Sequence, residues 1–397
     1  MKKPLSLILA IGCLATATLQ IAAQGSHKQV NDKHWINLSN EAFAAQYADM
    51  AFKGTLKDRQ KLAWMFFARV NQLIDDNPNP GMSNSGKVPA WMAWPTDPDT
   101  FSTLKRFEFH PNRSPRRTMK PSAKKKDIEV GKIGLSGPNR SNEEITRNRL
   151  SYEYLVDNGL TTKLDLATFF AKNQIVNMPI GSVELKASWM HVTKNRPAPE
   201  GALTFSFESG DYWWRGLHIM VKMRSLADPT DAFYSEDPSW FWTTFEFNNN
   251  PGVENVRETL ITQRAPLTPQ EIKTILTQAG LGNFGLEAYA PNGTQIRFTE
   301  HGTGKTDVIL GHTDMEDFAG SPNVAQPAYW TEFQSSCHTC HATAAYNPES
   351  GDFFPFSVAT GALKPGYSAK DKEGHLQYLG EGYKPLDFMW PIVFHAR

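Results

Sequence analysis

Near its C-terminal end the chain carries Cys337-His338-Thr339-Cys340-His341, which holds two of the three cysteines in 397 residues. C-x-x-C-H is the spacing at which a c-type haem is attached. Two thiols add across two vinyl groups on neighbouring pyrrole rings, and two intervening residues bridge that gap. The histidine after the second cysteine then falls beneath the iron as its proximal ligand. Other uses of the pair fit less well. A thioredoxin-like pair would follow a strand and open a helix in a βαβ unit, and no such unit is evident. A structural zinc site would need further thiolates that the chain lacks. A disulfide between residues three apart would be strained. With so few cysteines a disulfide scaffold is excluded, and the 40% of apolar residues must hold the fold by packing.

The third cysteine, Cys13, lies in an N-terminal segment that reads as an address. Lys2 and Lys3 precede an apolar run over residues 4–19, and Ile21-Ala22-Ala23 offers small residues before Gln24. Residues 1–23 therefore read as a secretory signal peptide. A lipid anchor on Cys13 fits poorly, because apolar sequence continues past it. Haem attachment needs reduced thiols and takes place outside the bacterial cytoplasm, so the export signal and the motif support each other. The expected location is periplasmic or secreted. Beyond the signal no apolar run reaches the ~18 residues of a membrane span, so no integral span is expected after cleavage. Lys+Arg and Asp+Glu both number 41, a balance that argues against a nucleic-acid partner.

The expected fold class is α+β: a β-rich central domain, antiparallel sheet or sandwich, with flanking helices and a C-terminal c-type haem region of low regular structure. Residues 24–290 form the helical N-terminal segment plus the β-rich domain, and 291–397 the haem-binding region. Helices are expected over 42–50 and, with the strongest amphipathic pattern, over 57–74. Residues 75–87 read as a loop, and Asp97-Pro98-Asp99 as a turn. Residues 105–126 hold nine Lys or Arg and only one Glu, which reads as a solvated loop or a docking surface for an acidic partner. Residues 140–171 read as helical with breaks. Residues 182–192 alternate as a half-buried strand, and 202–208, 212–224 and 240–247 follow as further strands.

Thr268-Pro269-Gln270-Glu271 opens a helix by a capping box, with Pro269 at the first position and Gly280 as its stop. Residues 282–310 read as a β-ribbon, 328–336 as a helix whose Tyr329, Trp330 and Phe333 would line the haem edge or simply the core, and 347–383 as largely irregular. Gly304-Lys305-Thr306 lacks the first glycine of a phosphate loop, since position 299 is threonine.

The sixth iron ligand is open in the sequence. Met389, 48 residues after His341, is one candidate, and Met315 another. His218, His312, His375 and His395 are further ones, and no strong ligand at all is the remaining case. An open position permits small-molecule chemistry, whereas a capped one favours electron transfer. If the central strands pair, Glu184, Lys186, His218, Lys222, Trp242 and Glu246 converge on one face. His218 or Glu246 would then be a proton-transfer group, unless the cluster is a satisfied polar network.

Several segments together resemble a family of secreted bacterial monohaem cytochrome c proteins. They are the 64–70 helix, Trp91-Met92-Ala93-Trp94, Val183-Glu184-Leu185-Lys186-Ala187-Ser188-Trp189, Gly216-Leu217-His218-Ile219, Trp240-Phe241-Trp242-Thr243-Thr244-Phe245-Glu246, the haem motif, and Asp387-Phe388-Met389-Trp390. The family pattern often has His where Phe247 stands here. The resemblance implies export and one covalently attached haem c, held by Cys337, Cys340 and His341, and supplies no substrate. Three functions follow as expectations. The first is periplasmic electron transfer with a redox partner protein. The second is a haem-dependent oxidoreductase acting on peroxide or a small organic substrate, with the β-rich domain as distal pocket. The third is a haem redox or gas sensor.

Overall fold

The computed structural model describes residues 33–75, 87–101, 142–225, 239–251, 253, 266–297, 310–313, 315, 337–354, 368–370, 376–378 and 382–396. The N-terminal helices begin where side chains satisfy their first amides. The Ser39 hydroxyl caps α1 (Asn40–Phe52), and Thr55 and Asp58 form a capping box on α2 (Leu56–Val70). Every residue from Leu62 to Ala68 is buried, so α2 is enclosed around most of its circumference. It stops at Val70, short of the expected Ile74. The Asn71 side-chain amide donates to the Phe67 carbonyl and its oxygen accepts from Trp91 Nε1, which fixes the helix end. Leu73–Asp75 (β1) then pairs antiparallel with β2 (Lys87–Pro89). Asp97-Pro98-Asp99 forms a one-turn helix, α3 (Asp97–Thr100), with its own capping box on Thr96.

The region expected to be helical from 140 instead opens with a strand, β3 (Asn142–Arg147), before α4 (Arg149–Asp157) and α5 (Lys163–Ala171). Pairing with the neighbouring β4 (Val183–His191) decides the matter, since tertiary context overrides local preference in strands. β5 (Thr204–Phe207), β6 (Gly210–Lys222) and β7 (Trp240–Phe247) follow. α6 (Pro269–Gln278) has the Thr268–Glu271 capping box read from the sequence, and Gly280 takes φ +76° just beyond it. Of the expected 282–310 ribbon, the described residues 282–297 hold a 3-10 turn at Leu286–Ala288 and the strand β8 (Tyr289–Gln295), and 298–309 lie outside the described residues. β8 joins the same sheet and runs through the boundary expected between 290 and 291.

The result is an α+β fold on a β-rich centre: one six-stranded antiparallel sheet ordered β3-β4-β6-β7-β8, with β5 paired to the start of β6. One face carries Leu185, Ala187, Leu217, Ile219, Val221, Phe241 and Phe245 against α2 and α6. There Phe67 stacks on Phe245 at 3.9 Å and Trp64 meets the same ring edge-on at 5.0 Å. The opposite face carries Glu184, Lys186, His218, Met220, Lys222, Trp240, Trp242, Thr244 and Glu246. Because that face is covered too, β4 is buried on both sides and not half-buried as its alternation implied.

The cover comes from α4, α5 and the C-terminal segment. The latter comprises α7 (Cys337–Ala342), β9 (Ala345–Asn347), β10 (Asp352–Phe353), β11 (Ser368–Lys370), β12 (Leu376–Tyr378), β13 (Lys384–Pro385) and α8 (Trp390–His395). Leu160, Phe169, Trp240, Trp242, Leu386, Phe388 and Met389 share its apolar cluster. Among the described residues no helix is long and apolar enough to cross a membrane. The 1–23 signal, the 105–126 basic segment, residues 328–336 and His375 lie outside the described residues.

Candidate functional site

The C-x-x-C-H segment forms the short helix α7. Cys337 and His341 are four residues apart, so they share one side of that turn. The Cys337 thiol is half-buried and donates to the Leu310 carbonyl over 3.7 Å. His341 is half-buried, and its Nδ1 lies 2.8 Å from the Phe388 carbonyl. A carbonyl only accepts, so Nδ1 carries a proton, and a metal would bind this ring through Nε2. The Trp242 ring stands 4.7 Å from that of His341.

The sheet sets this helix in place through β7 and β8. Trp242 and Gln295 are cross-strand partners. Gln295 Oε1 accepts from the His338 amide at 3.0 Å, and Trp242 Nε1 donates to His338 Nδ1 at 3.3 Å. Burial, with the charges of His341 and Lys222 adding to it, holds His338 down at about 3, so that ring is neutral and able to accept. The Cys337 thiol, an imidazole with a committed Nδ1 and the Trp242 ring thus meet at this helix, a donor set of the kind that can hold a metal-bearing group. The sequence pointed to Cys337, Cys340 and His341. It gave no sign of His338, Gln295 or Phe388 as supports.

The two candidate proton-transfer residues lie further along the same sheet face. His218 on β6 stands opposite Thr244 on β7, and its Nδ1 is 2.6 Å from the Thr244 hydroxyl. Glu246 stands opposite Gly216 and is fully buried. Its carboxylate accepts from Asn250 at 2.6 Å, Asn292 at 2.7 Å, and the Thr313 amide and hydroxyl. Burial pushes the carboxyl above its ordinary range, although those bonds work against the rise. His312 Nδ1 is 3.7 Å from Glu246, and its ring meets His218 edge-on at 6.0 Å. A Cβ added at Gly216 would collide with the His312 ring and the Phe245 carbonyl, so this close approach needs glycine. The strip 310–313 joins the two places, with Leu310 at Cys337 and Thr313 at Glu246.

Glu184 belongs to a separate network. The fully buried Arg147 guanidinium donates to Glu184 at 2.9 Å, and to Asp97 and Thr100, while Ser151 donates to Glu184 at 2.8 Å. Burial raises Glu184 against the pull of Arg147. For Asp97 the same burial is outweighed by Arg147 and His395, which hold it low. His395 is engaged there, with Nε2 3.0 Å from Asp97. Lys186 pairs with Glu143 at 3.3 Å. Met315 is buried, and Met389, also fully buried, sits at the N-cap of α8 within the C-terminal apolar cluster. No family model, curated protein or solved structure matches the chain.

Proposed function

We propose that this chain is an exported monohaem c-type cytochrome that carries electrons in the periplasm. Cys337 and Cys340 would hold the haem and His341 would be its proximal ligand. The observation that supports it most is the 2.8 Å bond from His341 Nδ1 to the Phe388 carbonyl, which leaves Nε2 as an oriented donor on the motif helix. Metal-bound histidines nearly always spend their second nitrogen on such an acceptor. The haem would supply a one-electron iron couple. The chain's own residues orient the imidazole and set the Trp242 ring against it, while the Phe388 ring packs on the neighbouring His338.

Met389, buried next to Phe388, would stay one candidate for the second ligand, beside Met315, a histidine or none.

A haem-dependent oxidoreductase is the second reading. The observation favouring it is Glu246, a buried carboxyl pushed up by desolvation and joined to the motif helix by the strip 310–313. Such a group suits proton transfer, with His218 beside it.

The test is expression with the native export signal in a host that matures c-type cytochromes. Colour that stays with the polypeptide after acid–acetone extraction, and disappears in Cys337→Ala/Cys340→Ala, is expected. Complete extraction of pigment from the wild type would refute the reading. Rapid binding of carbon monoxide or cyanide would favour the enzyme, and resistance to both the carrier.

A further inference from the structure

The turn that supplies the carbonyl to His341 is held in an uncommon conformation. Asp387 and Phe388 have φ of +47° and +69°, two consecutive non-glycine residues in the left-handed region. That region is unfavourable for an L-residue, so the turn persists only where its surroundings over-determine it. The surroundings here converge on one carboxylate. Asp387 is almost fully buried, and Lys222 Nζ donates to both of its oxygens at 2.7 Å. Trp240 Nε1 donates to Oδ1 at 2.9 Å, and the Met178 amide to Oδ2 at 2.6 Å. Lys222 and Trp240 are cross-strand partners on β6 and β7, so the anchor is the sheet itself. Removing a lysine and an aspartate from water is expensive, and a pair of apolar residues would often serve stability equally well.

We propose that Asp387 is a positioning residue for the proximal histidine: anchored by Lys222, Trp240 and Met178, it holds the left-handed turn that aims the Phe388 carbonyl at His341 Nδ1. The proposal rests on the reading of His341 as the iron ligand. The hydrogen bond it maintains makes the imidazole a stronger donor, which favours ferric iron and lowers the potential. Every partner of the Asp387 carboxylate is a donor. An amide at this position must therefore turn an NH2 group toward a donor, and the clamp opens.

The experiment is redox titration of purified, haem-loaded protein. Asp387→Asn is expected to keep covalent haem and to raise the midpoint potential. At the wild-type midpoint it would be about tenfold more reduced, a shift of ~59 mV for one electron. Lys222→Met/Asp387→Leu removes both charges together and is expected to show the same rise. A wild-type potential in that pair would overturn the proposal, because the effect of Asp387→Asn would then be one of charge alone. Asp387→Asn/Phe388→Gly is expected to return toward the wild-type value, since glycine takes the positive φ without the clamp. If none of these variants folds, the wild type still decides. Its His341 Nδ1 proton, observed by NMR in the reduced protein, should be protected from exchange with water, and rapid exchange would overturn the proposal. Absence of covalent haem from the wild type is a separate outcome, and it bears on the proposed function.

Discussion

The two faces of the central sheet are buried to a similar degree and built from different materials. The face toward α2 is almost wholly apolar, with Phe67, Trp64, Trp214, Phe245 and Tyr289 in ring contact. The opposite face encloses Arg147 with Asp97 and Glu184, Lys222 with Asp387, and Glu246 among amides and a hydroxyl. Apolar burial stabilises a fold without specifying chemistry. Buried charges stabilise little on balance and fix positions. The candidate haem helix packs on the second kind of face, where Trp242, Gln295 and Asp387 each hold one part of it or of its support.

The largest test of that contrast is a pair of truncations. Phe67→Ala should lose ~3–5 kcal/mol as a core cavity, and Arg147→Ala a similar ~3–5 kcal/mol because two buried carboxylates lose their partner. The losses should differ in kind. In urea titrations the Phe67 loss should not change between pH 7 and about 4, the ordinary carboxylate range. The Arg147 loss should shrink on acidification, as Asp97 and Glu184 take up protons in the variant. A pH-independent Arg147 loss would mean that the guanidinium acts by packing alone.

What the sequence made legible follows the range of each interaction. The Thr268–Glu271 capping box and the limits of β7 are local, and both were read correctly. β3 was missed because Asn142-Glu143-Glu144-Ile145-Thr146-Arg147 is a strand only through its pairing with β4. The period of two put Glu184 and Lys186 on one strand face, and only if the strands paired would His218, Lys222, Trp242 and Glu246 join them, as the registers show they do. That pattern did not say which of them touch. Of the partners of Glu246, Asn250 follows β7, Asn292 stands on β8 and Thr313 belongs to the strip 310–313. The strained turn at Asp387 and Phe388 left no mark, since neither residue is a glycine and the force that holds it is a lysine 165 positions away.

Glu246 gives a smaller effect with a definite sign. Its carboxyl is raised in the folded protein, so between the unfolded and folded values the native state holds a proton that the unfolded chain has released. This contribution is therefore fully present below the unfolded pKa and is lost as pH rises through the folded one. The slope within that window is up to about 1.4 kcal/mol per pH unit. Glu246→Gln cannot titrate and should lack this component. The measurement is denaturant unfolding from pH 4 to 8, and parallel curves for the two proteins would place Glu246 in a less desolvated setting than its burial implies.

The smallest effect probes the apolar side without touching its core. Thr268→Ala removes the hydroxyl that accepts from the Glu271 amide, and by freeing the cap it weakens the return bond that the Thr268 amide donates to the Glu271 carboxylate. The loss expected for such a cap is ~1 kcal/mol. α6 packs through Ile275 and Leu276 into the cluster around α2, so the loss should appear in global unfolding. It should not appear in the midpoint potential of the proposed haem, because β6 and β7 carry the Asp387 anchor on the other face. Thr268→Ala and Asp387→Asn thus divide the two faces. One should change stability and leave the potential alone, and the other should move the potential. A shift of potential in Thr268→Ala would show that the faces are mechanically coupled through the sheet, and the division between a stabilising face and a positioning face would fail.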